Sequence, residues 1–237
     1  MSEPLLVERD GGVVTLTLNR PEIRNAMDPA LTEAFSSAVN DLRADAEARV
    51  LIVTGAGSAF CAGGDLSWIN PGPGADVAAM RLKMREFYQR FLGVRNLDIP
   101  VIAAINGHAV GAGLCLALAC DLRIASEDAR LSAPFTKLGM HPGMAATYLL
   151  THLLGTSRAA DLLFTSRMVD AREAEHLGLV NRVVPAADLL TAARELARQI
   201  AANAPLPMGM VKRAIYIAEH ADMHTMLEAR ATDRRRA

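Results

Sequence analysis

The chain has 237 residues, 51% of them hydrophobic and only 4% aromatic, which is enough to bury a substantial core of Ala, Leu, Val, Ile and Met. Its formal net charge of −1 excludes a whole-chain field that would attract nucleic acid or an anionic membrane. The three cysteines, Cys61, Cys115 and Cys120, lie in apolar or glycine-rich stretches without paired metal-ligand spacing, a pattern expected of free thiols in a reducing, cytoplasmic setting.

The opening residues MSEPLLVERD lack a basic region followed by an apolar stretch, so no signal peptide is expected. Leu5 to Val7 and Val13 to Leu18 read as two strands around the turn Asp10-Gly11-Gly12. Asp28 then caps a helix with Pro29 at its first position and Leu31, Ala34, Phe35, Ala38, Val39 and Leu42 on one face. Val50 to Thr54 is an apolar run of buried-strand length. Asn70-Pro71-Gly72-Pro73-Gly74 reads as a mobile loop, and the next helix carries a stripe of Val77, Met80, Met84, Phe87, Phe91 and Val94.

Pro100 to Ile105 is a further buried strand, followed by a short helix ending near Cys120 and a strand from Leu122 to Ala125. Val101 to Cys120 is nearly all apolar, but Asn106, Gly107, His108, Gly111 and Gly113 interrupt it, so strand, turn and helix explain it better than a membrane span. From Gly143 onward the pattern is mostly helical. It has one stripe at Leu189, Leu190, Ala193, Leu196, Ala197 and Ile200, a second at Met208, Val211, Ile215 and Ala218, and a third at Met223, Met226 and Leu227. Alternating strands and helices predict an α/β layer architecture, and apolar faces on the last helices favour an oligomer.

Two glycine-rich turns carry the chemistry. TGAGSAFCAGGDL (Thr54 to Leu66) and AINGHAVGAGLCLALACD (Ala104 to Asp121) each follow a predicted strand. Small residues there let backbone N–H groups face a ligand, and two such donors converging on one carbonyl oxygen make an oxyanion hole. The blander alternative is that these residues only let a strand and a helix pack closely. Gly55-Ala56-Gly57 is not a dinucleotide fingerprint, because the third glycine position holds Phe60. Neither a phosphate-loop lysine nor a Gly-x-Ser-x-Gly elbow is present.

Together NRPEIRNAM (Asn19 to Met27), the two glycine turns, CDLRIAS (Cys120 to Ser126), APFTKLGMHPG (Ala133 to Gly143) and LLFTSRMVDAREAEHLGLVNRVVP (Leu162 to Pro185) resemble the enoyl-CoA hydratase/isomerase, or crotonase, superfamily. The resemblance runs from about residue 5 to about residue 230. It implies one domain over residues 1–237, a spiral of repeated ββα units over about 5–185, and C-terminal helices over about 186–232 that are shorter than in relatives. It implies a homo-trimer or hexamer, an acyl-CoA thioester as ligand, and coenzyme A only as part of that substrate, with no resident cofactor or metal.

By the same resemblance, the backbone N–H groups of Ala62 and Ala112 form the oxyanion hole, with Gly111 beside Ala112. Arg24 and Ala26 lie along the CoA path, and Ala62, Gly64, Asp65 and Leu66 line the adenine and pantetheine channel. From residue type, Asp65 reads first as a helix cap or structural hydrogen-bond acceptor, and Arg24 is equally readable as an exposed loop charge.

The family's catalytic glutamates are missing. The two hydratase positions hold Cys115 and Phe135, the latter following Pro134, and the position used by some isomerases holds Gly143. Efficient hydration is therefore not expected; isomerisation or another proton transfer next to the thioester is preferred, with a non-catalytic acyl-CoA carrier as the alternative. Replacement candidates are His141 as a base, whose bland reading is a surface or loop histidine, Cys115 in the first turn of a helix, whose bland reading is a small buried core residue, and His108, whose bland reading is a packing histidine.

Overall fold

The computed structural model describes residues 3–69 and 76–227, so the expected loop over residues 70–74 and the tail from Glu228 to Ala237 lie outside the described residues. Strands β1 (Leu5–Asp10) and β2 (Val13–Leu18) form an antiparallel hairpin whose turn places Gly11 at φ +56°. Helix α1 (Pro29–Ala44) begins where expected: the Asp28 carboxylate accepts the Leu31 N–H at 2.8 Å, and Leu31, Phe35, Val39 and Leu42 are buried.

There follow β3 (Val50–Gly55), β4 (Ala59–Cys61), α2 (Leu66–Ile69), α3 (Val77–Leu92), β5 (Val101–Ile105), β6 (His108–Val110), α4 (Ala112–Ala119), β7 (Leu122–Ser126) and β8 (Arg130–Ser132). The remainder comprises α5 (Ala146–Leu154), α6 (Thr156–Thr165), β9 (Val169–Asp170), α7 (Ala171–Leu177), β10 (Arg182–Val184), α8 (Leu189–Ala201) and α9 (Pro205–Ala218).

The strands form two sheets, one of order β1-β2-β3-β5-β7-β10 and one of order β4-β6-β8-β9. Successive strand pairs explain both. β3, β5 and β7 enter the larger sheet in parallel, and β4, β6 and β8 enter the smaller one in parallel. Each pair then passes into helical structure. This is the repeated ββα spiral, with a helical C-terminal region.

The glycine turns therefore do not run straight from strand to helix. A three-residue strand intervenes each time, too short for alternation to reveal in the sequence. Close packing does account for part of the glycine content: a Cβ on Gly107 would lie 2.1 Å from the Ser58 carbonyl oxygen, and one on Gly113 would lie 2.2 Å from the Cys61 carbonyl oxygen. The second contact brings α4 against β4, and every residue of α4 is buried.

Two helical stripes differ from expectation. On α3, only Phe87 and Phe91 are buried, while Val77 is 82% exposed. On α9, the inward residues are Gly209 and Lys212, and Val211 and Ile215 are exposed. The Lys212 amine sets that rotation. It donates to the Ile99 carbonyl at 2.9 Å and pairs with Asp121 at 2.8 Å, and a buried ammonium without those partners would be costly. Of the last stripe, Met223 and Leu227 are likewise exposed.

Candidate active site

The segment before α1 sets one wall of the site. Arg24 and Asn25 both adopt left-handed backbone, at φ 54° and 56°. Fully buried Asn25 holds this turn: its amide donates to the carbonyls of Ala56 at 2.9 Å and Ala59 at 2.8 Å, and its oxygen accepts the Arg20 N–H at 2.8 Å. Sequence reading passed over Asn25; its signal was a polar residue inside a segment that must turn sharply. The loop so fixed pairs with the chain leaving β4. Met27 donates to the Gly63 carbonyl at 2.7 Å, and Asp65 donates to the Met27 carbonyl at 3.1 Å.

That pairing corrects the expected donor. The Ala62 N–H points at the Arg24 carbonyl, 2.9 Å away, and is spent there. Two residues on, Gly64 sits in the bridge to Met27 with its own N–H turned away from it, and among the described residues that N–H has no acceptor. Gly64 also lines the cleft.

On the other side of the cleft, the Ala112 N–H is unpartnered among the described residues. Gly111, at φ 55° and ψ −119°, turns the chain from β6 into α4, and no side chain caps that helix. Ala112 is the first helical residue, so its N–H has no partner within the helix, and the helix dipole adds positive potential there. The two strands of backbone are close: a Cβ on Gly63 would lie 3.4 Å from the Ala112 nitrogen.

Gly64 and Ala112 open onto a cleft of about 120 Å³. Ala62, Leu66, Gly111, Pro134, Phe135 and His141 also line it, so most of the residues singled out from the sequence are brought together. Phe87, Met84, Ile69 and Met144 make much of the rest apolar, and among the described residues no carboxylate lines it. His141 is exposed, at the rim. His108 is exposed on β6 and outside the cleft, which corrects its reading as a packing histidine.

Four other candidates stand outside the lining. Asp65 caps α2, its carboxylate accepting the Ser67 N–H at 2.9 Å and hydroxyl at 2.7 Å, bonds that hold its pKa below the ordinary value. Arg24 is exposed and makes no ion pair among the described residues; Ala26 lies beside it. Cys115 is corrected as an acid–base candidate. Its thiol is buried behind the cleft, 3.9 Å from the Gly143 carbonyl, and burial pushes its pKa up to about 12. Desolvation thus outweighs whatever the α4 N-terminus contributes toward a thiolate.

The profile of the family described as enoyl-CoA hydratase/isomerase matches residues 8–235. The chain belongs to this family, the crotonase superfamily. Its relatives carry both activities in their names. A probable enoyl-CoA hydratase of Mycobacterium bovis is 39% identical, the match covering 90% of this chain and 81% of that protein. A 1,2-epoxyphenylacetyl-CoA isomerase of Escherichia coli is 35% identical over 96% of this chain and 87% of its own length. Among solved structures, an enoyl-CoA hydratase from Bacillus anthracis superposes with a TM-score of 0.91 at 38% identity, covering 97% of this chain and 88% of that one. A monofunctional enoyl-CoA isomerase from M. smegmatis superposes at 0.82 with 36% identity, covering 95% and 99%.

A larger cavity of about 580 Å³ lies at the other end of α4, between α5 and α9. Its charged groups are satisfied internally, Lys212 by Asp121 and Arg95 by Glu219 at 2.6 Å. Among the described residues, no helix is long and apolar enough to cross a membrane.

Proposed function

We propose that this crotonase-family protein binds an acyl-CoA thioester in the smaller cleft, with the thioester oxygen between the N–H groups of Gly64 and Ala112, and transfers a proton next to the thioester. The observation that carries this reading is the pair of unpartnered backbone donors on facing walls of an apolar cleft. Loss of a proton from the carbon beside the thioester moves charge onto its oxygen, and each preorganised donor stabilises that charge by about 3 kcal/mol. Exposed Arg24 then meets a phosphate of the coenzyme A portion, and Ala62, Gly64 and Leu66 flank its path.

Hydration is disfavoured. It needs groups that deliver and accept protons around a water, and Phe135 and Gly143 can do neither while the Cys115 thiol stays protonated. His141, at the rim, is the base in this reading. The exposed apolar residues of α9, among them Val211 and Ile215, form the contact with further copies in a trimer or hexamer, and the three buried free thiols suit the reducing cytoplasm.

The test is hydrogen–deuterium exchange of saturated and unsaturated acyl-CoA in heavy water, read by mass spectrometry. Exchange at the carbon beside the thioester, lost in His141→Ala, is the expected result. Exchange unchanged in His141→Ala would remove that residue from the mechanism. The lack of a carboxylate in the cleft lining favours a second reading, a non-catalytic acyl-CoA carrier, which predicts saturable binding with no exchange in the wild type.

A further inference from the structure

The cleft contains one polar side chain that the reading above does not use. Tyr88, on α3, lines the cleft beside Phe87, with ring centroids 5.7 Å apart. Its hydroxyl lies over Gly143: a Cβ built there would be 2.3 Å from the oxygen and 2.8 Å from Cζ. The phenol therefore occupies the space that a side chain at position 143 would need. Behind it, the Cys115 thiol reaches the Gly143 carbonyl. Among the described residues the Tyr88 hydroxyl has no hydrogen-bond partner, although the tyrosine is half-buried among apolar groups.

Burial, and the nearby Cys115, hold the Tyr88 pKa above the ordinary value, so the group remains a neutral O–H donor instead of a base. The Tyr88 hydroxyl and the N–H groups of Gly64 and Ala112 line one cleft of about 120 Å³, so a thioester oxygen held at Ala112 leaves the first carbons of its acyl chain in the same small space as Tyr88.

We propose that Tyr88 is a specificity-determining donor, and that the acyl chain this cleft selects carries an oxygen on one of its first carbons, held by the Tyr88 hydroxyl. An unsubstituted chain would displace water from the hydroxyl and return nothing, leaving a polar group unpaired against hydrocarbon. An oxygen-bearing chain replaces the water's hydrogen bond. A site built around such a donor discriminates against the analogue lacking the oxygen, here by about tenfold. This rests on the acyl-CoA reading of the cleft.

The experiment is calorimetric titration of wild type and Tyr88→Phe with 3-hydroxybutanoyl-CoA and with butanoyl-CoA. Wild type is expected to bind the hydroxylated thioester about tenfold more tightly, and Tyr88→Phe to bind both within about twofold of each other, with butanoyl-CoA held more tightly than by wild type because no hydroxyl is left unpaired. Tyr88→Phe keeps the ring and its packing, and an unchanged melting temperature would show that. Equal affinities in the wild type, or a preference that survives in Tyr88→Phe, would overturn the proposal and leave the acyl-CoA reading standing. Binding of neither thioester by wild type would instead overturn the acyl-CoA reading, and the proposal with it.

Discussion

Helix α4 joins two cavities of unlike character. Its first residue opens onto a cleft of about 120 Å³, while Leu118 at its end and Asp121 just beyond line a cavity of about 580 Å³. The larger one has the stronger charges, but they are matched to one another: Asp121 accepts from Lys212, from the Val101 N–H at 2.6 Å and from the Tyr216 hydroxyl. The smaller one is nearly apolar, yet it holds the N–H groups of Gly64 and Ala112 and the hydroxyl of Tyr88, none with a partner among the described residues. Volume is thus a poor guide to chemistry here. A polar group already satisfied by the protein contributes stability; one left unsatisfied at a cleft is available to a ligand.

The most severe way to break this contrast is to displace α4 itself. Gly113→Val places side-chain atoms where even a Cβ would stand 2.2 Å from the Cys61 carbonyl oxygen, so it should destabilise the fold by about 4 kcal/mol or more in urea unfolding and abolish acyl-CoA binding with it. Next, Asp121→Ala strands the buried Lys212 ammonium, which is 5% exposed. It should cost about 3 kcal/mol of stability, while the affinity of the remaining folded protein for acyl-CoA stays at the wild-type value. An equal loss of affinity would mean that the two ends of α4 are coupled.

Alkali should weaken the fold through the thiols. Burial raises Cys61, Cys115 and Cys120 from an ordinary value of 9.0 to about 12. Their folded-state pKa values lie above the unfolded ones, so their stabilising contribution is complete below pH 9. It falls by about 1.4 kcal/mol per thiol per pH unit from there toward the folded value. Denaturant midpoints measured from pH 8 to 10 should show this slope, and Cys120→Ala should reduce it by about a third. The smallest effect is expected at a residue that lines neither cavity: Asp28→Ala removes the α1 cap and the ion pair with Arg20, costs about 1 kcal/mol by thermal melting, and leaves exchange chemistry intact.

Much of this architecture was legible beforehand because it depends on near neighbours. Asp28 with Pro29 starts a helix by local hydrogen bonding and a preset φ, and the apolar runs of β3 and β5 admit little but buried strands. That Cys115, Phe135 and Gly143 bring no carboxylate to the cleft was also readable from residue identity, as was the start of a helix near Ala112. The short strands β4, β6, β8, β9 and β10 were not, since two or three residues carry no usable period.

What the sequence by itself determined was the order of the longer strands and helices, which follows from residue type and spacing along the chain, and the family, which follows from the resemblance of several ordered motifs. Only the tertiary structure decided that Gly64 replaces Ala62 as the free donor, that α9 turns its lysine inward, and that Tyr88 stands over Gly143. The physical reason is common to all three. The direction of an N–H or a side chain is set by which distant backbone it pairs with, and Arg24, Ile99 and α3 reach these positions only once the ββα units have packed.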